Sequence, residues 1–105
     1  MAQFDIHENT NIASREHTPY LLNVQADVLS ELATRVVVPL RAKTGREKTV
    51  ISRLHPVISF AGVDYIAVVT EMAAVPASLL GPRVDAARAH RAELNVALDL
   101  LLTGF

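Results

Sequence analysis

The sequence predicts an α+β fold, a meander of antiparallel strands followed by one C-terminal helix. Two observations carry this. Up to Leu80 the chain runs in short β-branched segments separated by turn residues, and beyond Gly81-Pro82 it is rich in Ala, Leu, Arg and Glu, all good helix formers. A chain of 105 residues, half of them apolar, supplies one core and predicts one domain over residues 1–105.

The elements follow in order. Gln3 to His7 alternates polar and apolar residues, as a short half-buried strand does. Glu8 to Thr18 is a loop by composition. From Tyr20 to Gln25, alternation puts Tyr20, Leu22 and Val24 on one face of a second strand. "TRVVVPL", Thr34 to Leu40, is a third, and Pro39, lacking an amide, assigns it to a sheet edge or a strand end. The segment Arg41 to Thr49 gathers Arg41, Lys43, Arg46 and Lys48 around Gly45 and reads as an exposed hairpin or loop. Val57–Phe60 and Val63–Thr70 flank a tight turn at Ala61-Gly62, with a last short strand near Pro76–Leu80. From Val84 the remainder is one helix.

At about 100° per residue, Ala87, His90, Leu94, Ala97, Leu98 and Leu101 share one stripe of that helix, the face expected to meet the core. On this wheel Leu98 and Leu101 are buried leucines. Val96 and Leu100 point roughly 160° and 120° away from Leu94, among Asn95, Asp99 and Thr103. They therefore need another cover. Gly104 permits the left-handed turn that ends a helix, which would bring Phe105 beside Val96 and Leu100 as a compact contact patch.

Composition removes most chemistry. The net charge of −1 gives no field for phosphate backbones, and no cysteine is present for disulfides, iron–sulfur clusters or a thiol nucleophile. His7, His17, His55 and His90 lack metal-site spacing and have ordinary surface, strand-entry or helix-stripe roles. No metal or cofactor is expected. No serine-nucleophile, dinucleotide or phosphate-loop motif occurs, and Glu71, Asp85, Glu93 and Asp99 come from separate elements. Arg88 and Arg91 read as solvated or salt-bridged helix charges. With no apolar run of membrane-spanning length and no signal-peptide pattern at the start, a soluble cytoplasmic protein is expected.

The ordered segments "YLLNVQADVL", "TRVVVPL", "HPVI", "TEMAAVPASLLG" and "LDLLLTGF" together resemble the CcdB family, the toxins of toxin–antitoxin modules. The most specific are "VQAD" at Val24–Asp27, "VVPL" at Val37–Leu40 and T-x-M-A-x-V-P-x-S at Thr70–Ser78. The match runs from Gln3 to Phe105. The resemblance implies a five-stranded SH3-like sheet barrel of the CcdB and MazF type with a long C-terminal helix, assembled as a homodimer. It also implies a toxin that makes no bond itself. Members bind the A subunit of DNA gyrase and trap the cleaved gyrase–DNA complex, meeting DNA only through gyrase or the antitoxin complex.

By the same resemblance, gyrase contact falls on Val28 and Leu29, on Val96, Asp99 and Leu102, and on the terminal Thr103, Gly104 and Phe105. Leu100 joins them from the helix wheel. The best-known family sequence carries tryptophan and isoleucine where this chain has Thr103 and Phe105, and asparagine where it has Asp99. A CcdA-type antitoxin is implied as second partner, its acidic tail expected at Glu8, Arg15, Arg41, Lys43, Arg46 and Lys48. Two alternatives stay open. One is a MazF-like endoribonuclease using Arg35 with Thr34 or Thr70, and the other a relic that binds antitoxin and regulates its operon without poisoning gyrase.

Overall fold

The computed structural model describes residues 2–44 and 53–104. Among them run seven strands, β1 (Asp5–Asn9), β2 (Tyr20–Asn23), β3 (Thr34–Ala42), β4 (Val57–Phe60), β5 (Val63–Ala67), β6 (Ala73–Pro76) and β7 (Leu80–Ala86), then helix α1 (Arg91–Thr103). All pairings are antiparallel, in the order β4-β5-β3-β2-β1-β7, with β6 also on β3. The α+β class is as expected. The curled half-barrel holds seven strands where the resemblance implies five.

Strand β3 is the hub, not an edge. One side pairs with β2, while the other pairs first with β6 through Thr34–Val37 and then with β5 through Leu40–Ala42. Pro39 falls between those two partners, its carbonyl accepting from the Val68 amide at 3.0 Å. A strand residue presents its amide and carbonyl to the same side, so the missing amide lies where β5 has ended and β6 has not begun. The proline is tolerated because the chain turns there, through a 3₁₀ turn at Val69–Glu71.

Alternation separates two buried faces. Ile6, Leu22, Val24, Val38, Leu40 and Ile58 meet Phe4, Val69, Leu94 and Ala97 in the main core, and Tyr20 packs against it, so the expected Tyr20, Leu22, Val24 face is as read. Leu21, Val37 and Leu80 form a smaller cluster on the other side. Three aromatic rings close one end of the main core: Tyr20 meets Phe60 and Tyr65 edge-on, with centroids 5.0 and 5.5 Å away. Burial, then the Tyr20 hydroxyl beside it, pushes the Tyr65 phenol above its ordinary pKa.

Several boundaries differ from expectation for identifiable reasons. The first strand begins at Asp5, because Phe4 has φ +69° and a turn joins the Asp5 amide to the Ala2 carbonyl at 3.0 Å. Pro76–Leu80 is not one strand: β6 ends at Pro76, a 3₁₀ turn spans Ala77–Leu79, and β7 starts at Leu80. Val84–Ala86 is strand rather than helix. Its helix-favouring composition is overridden by pairing with β1, in which Ile6 faces Asp85 and Asp5 faces Ala86. The Ala61-Gly62 turn is as read, its two residues at φ +52° and φ +76°, but β5 stops at Ala67 rather than Thr70, because the chain enters the 3₁₀ turn at Val69–Glu71.

Asp5 fastens the end of β7 and the helix entry to β1. Its buried carboxylate receives Arg83 Nε and Arg88 Nη2, both at 3.0 Å. Burial alone would raise its pKa. The Ala2 amide, the Arg83 hydrogen bond and the charges of Arg83 and Arg88 outweigh that and hold it below 3.8. Arg91 lies over the Phe4 ring, 5.3 Å from its centroid, so Arg88 and Arg91 are partnered charges. His7 is buried rather than at a surface, its Nδ1 2.9 Å from the Gly81 carbonyl.

Candidate functional site

Two outward apolar groups stand on different elements. The first is the loop after β2, where the chain makes a 3₁₀ turn at Asp27–Leu29 and returns at Thr34. Val28 is 88% exposed, Leu29 47% and Leu32 52%. A loop that turns its aliphatic residues to solvent cannot be held by their burial, so polar anchors must hold it. They lie beneath it. Gln25 donates from Nε2 to the Leu29 carbonyl at 2.7 Å and accepts the Val36 amide at Oε1, while the Gln3 amide donates to Asp27 Oδ1 at 2.6 Å. Buried Arg35 donates to the carbonyls of Ser30, Leu32 and Thr34.

The second group is the end of α1. Leu94 and Ala97 are buried and Leu98 packs on the core, as the helix wheel requires. The last turns are only partly covered. Leu101 is therefore 37% exposed instead of buried, and Leu102 is 68% exposed, with Asp99, Thr103 and Gly104 also in solvent. Val96 and Leu100 are half-buried, which corrects their expected place on the wet face, and Leu100 lines a shallow recess with Arg53, Leu54 and Gly104. Gly104 stops the helix at φ +80°, its amide donating to the Leu100 carbonyl at 3.1 Å, as its position after the leucines predicts. Phe105 lies outside the described residues.

A third feature is a cleft of about 660 Å³ between the Thr10–Thr18 loop and the β3–β5 pair. Ser14, Glu16, His17, Thr18, Arg41 and Val68 line it. Arg41 sits in its wall, half-exposed, with both Nη atoms on the Glu71 carboxylate at 2.9 and 2.6 Å. Of the expected antitoxin residues, Arg41 lines this cleft. Glu8 belongs to β1 rather than to the loop; it is exposed, as are Arg15 and Lys43, while Arg46 and Lys48 lie outside the described residues.

The acids do not converge. Glu71 pairs with Arg41, Asp85 accepts the Ala86 amide, and Glu93 faces His90 at 3.4 Å. Among the described residues no cluster of His, Asp or Glu is placed to hold a metal ion, and no helix is long and apolar enough to cross a membrane. Leu32, the loop-anchoring roles of Gln25 and Arg35 and the pairing of Glu71 with Arg41 were not read from the sequence. Leu32 alone had a signal, an aliphatic residue four positions beyond Val28.

The described residues thus form a curled antiparallel sheet packed against one terminal helix, with an exposed aliphatic loop after β2 and an exposed helix end. The family model described as CcdB protein matches residues 3–104, and the chain belongs to the CcdB family, toxins of toxin–antitoxin modules. Its fold is also similar to that of an endoribonuclease solved in complex with its cognate antitoxin from a mycobacterial species. That likeness has a TM-score of 0.69 and 14% identity, covering 97% of this chain and 94% of the other.

Proposed function

We propose that this protein is a gyrase-poisoning toxin. As a homodimer it docks on the A subunit of DNA gyrase while the enzyme holds cleaved DNA, keeps the break from closing, and so blocks replication and transcription. A CcdA-type antitoxin neutralises it. The toxin supplies shape and apolar surface, and gyrase supplies all the chemistry.

The outward aliphatic surface carries this reading. Val28, Leu29 and Leu102, which the family resemblance assigns to gyrase contact, are among the most solvent-exposed large apolar side chains of the described chain. Asp99, Thr103 and Gly104 are exposed beside Leu102. Val96, Leu100 and Phe105 complete the proposed surface, with Val96 and Leu100 contributing their uncovered halves. Antitoxin contact is proposed at the cleft around Arg41, with Glu8, Arg15, Lys43, Arg46 and Lys48 around it.

Arg35 favours binding over ribonuclease action. An RNA-cleaving site at Arg35 with Thr34 or Thr70 needs a guanidinium free to meet phosphate, whereas Arg35 is buried and both its Nη atoms donate to backbone carbonyls. Thr70 Oγ1 is hydrogen-bonded to His55 Nε2 at 2.9 Å.

Deleting Thr103–Phe105 tests the proposal. Growth arrest on induction is expected to disappear while thermal stability stays near that of the full chain, since Thr103 and Gly104 are exposed. Unchanged arrest at equal expression would remove the helix end from the site.

A further inference from the structure

Arg35 is buried on β3, and among the described residues no carboxylate faces it. Nη1 donates to the carbonyls of Leu32 and Thr34, Nη2 donates to that of Ser30, and Nε is buried with no partner. A guanidinium taken out of water needs acceptors around it, and here they are backbone dipoles of one short segment. The dependence runs both ways. The carbonyls satisfy the cation, and the planar fork fixes the directions of three carbonyls within five residues.

That segment closes the loop bearing Val28, Leu29 and Leu32. None of the three residues of its 3₁₀ turn is buried, so the loop gains little from the core. Its own amide bonds are local: Leu29 to Ala26 and Ser30 to Asp27 at 3.0 Å, Leu32 to Leu29 at 3.2 Å. Local turns of this kind open easily unless something outside the turn holds them.

We infer that Arg35 is a positioning residue for partner binding: from beneath, it holds the Val28, Leu29 and Leu32 side chains in one outward arrangement, so that docking on gyrase A does not have to order the loop. Leu32 thereby joins the contact surface. A preformed loop avoids the entropy loss that a mobile one incurs on binding. The inference rests on the gyrase reading above for its partner, while the holding of the loop can be measured without it.

The test compares the full chain with R35M and R35K by amide hydrogen exchange and by titration with a purified gyrase A fragment. In R35M the Leu29, Ser30 and Leu32 amides should exchange about tenfold faster or more, with the β1–β2 amides unchanged. Gyrase A should bind it roughly tenfold more weakly, and R35K, with one ammonium for the fork, should recover part of both losses. Separately resolved Nη–H resonances of Arg35 in the unsubstituted protein report the fork even if R35M does not fold. Loop amides exchanging at the normal rate in R35M, or a freely rotating Arg35 guanidinium in the unsubstituted protein, would overturn the positioning role. Failure of the unsubstituted chain to bind gyrase A, with the loop still loosened in R35M, would overturn the gyrase reading and uphold the holding of the loop.

Discussion

Arg41 and Glu71 form a two-point ion pair, 2.9 and 2.6 Å, between β3 and the 3₁₀ turn that separates β5 from β6. Arg41 stands in the wall of the cleft beside the Thr10–Thr18 loop, so a cation expected to meet an acidic antitoxin tail already has an acid on it. An incoming carboxylate must displace Glu71 or share Arg41 with it. E71Q should therefore strengthen binding of an acidic antitoxin segment, and the gain should shrink as salt is raised. Because both side chains are at least a third exposed, folding stability should change by less than about 1 kcal/mol. Calorimetric titration at two salt concentrations, with denaturant unfolding alongside, checks both.

Asp5 predicts an acid-sensitive component of stability. Its folded pKa lies below the ordinary 3.8, so the stabilisation is complete above that value and drains away as pH falls through the depressed folded pKa. D5N should cost roughly 1–3 kcal/mol at neutral pH, since two half-exposed arginines lose a charged acceptor. The gap between D5N and the parent chain should narrow at pH 3 and below. Urea unfolding at pH 7 and pH 3 measures it.

The helix gives a graded prediction. L94A removes a fully buried side chain from the main core and should cost about 2–5 kcal/mol. L101A, at a position 37% exposed, should cost about 1 kcal/mol or less, although both leucines lie on the same helical stripe. Equal losses would mean that the last turn is covered in solution.

Ala61 occupies a left-handed position, φ +52°, at the first residue of a two-residue hairpin loop. Only small penalties separate residues there, and asparagine accepts this conformation more readily than alanine. A61N should stabilise the chain by up to about 1 kcal/mol, read as a raised unfolding midpoint.

How much of this was legible in the sequence depended on where each residue's partners lay. The Ala61-Gly62 turn and the Gly104 stop are local events, written in turn residues and φ preferences, and both stand as read. The Val84–Ala86 end of β7 reads as helix because its composition cannot reveal that β1 needs an antiparallel neighbour. Pro39 suggested an edge, since a missing amide is visible in a sequence while the gap between β5 and β6 that accommodates it is not. The apolar surplus of α1 was legible, but not which turns are only partly covered, so Leu101 was misplaced inside and Leu100 outside. Arg35 is the clearest case. Within "TRVVVPL" it reads only as the cation of the ribonuclease alternative, and only folding shows three carbonyls closing on it.

The measurement to make is a supercoiling reaction with purified gyrase, ATP and this protein, scored for linear DNA covalently held by the enzyme, beside V28D and a variant lacking Thr103–Phe105. Accumulation of trapped breaks with the full chain, and its loss in both variants with their folds intact, is the predicted result. Closed-circular products only, with the host's own gyrase as with another bacterial one, or equal trapping by all three proteins, would contradict it.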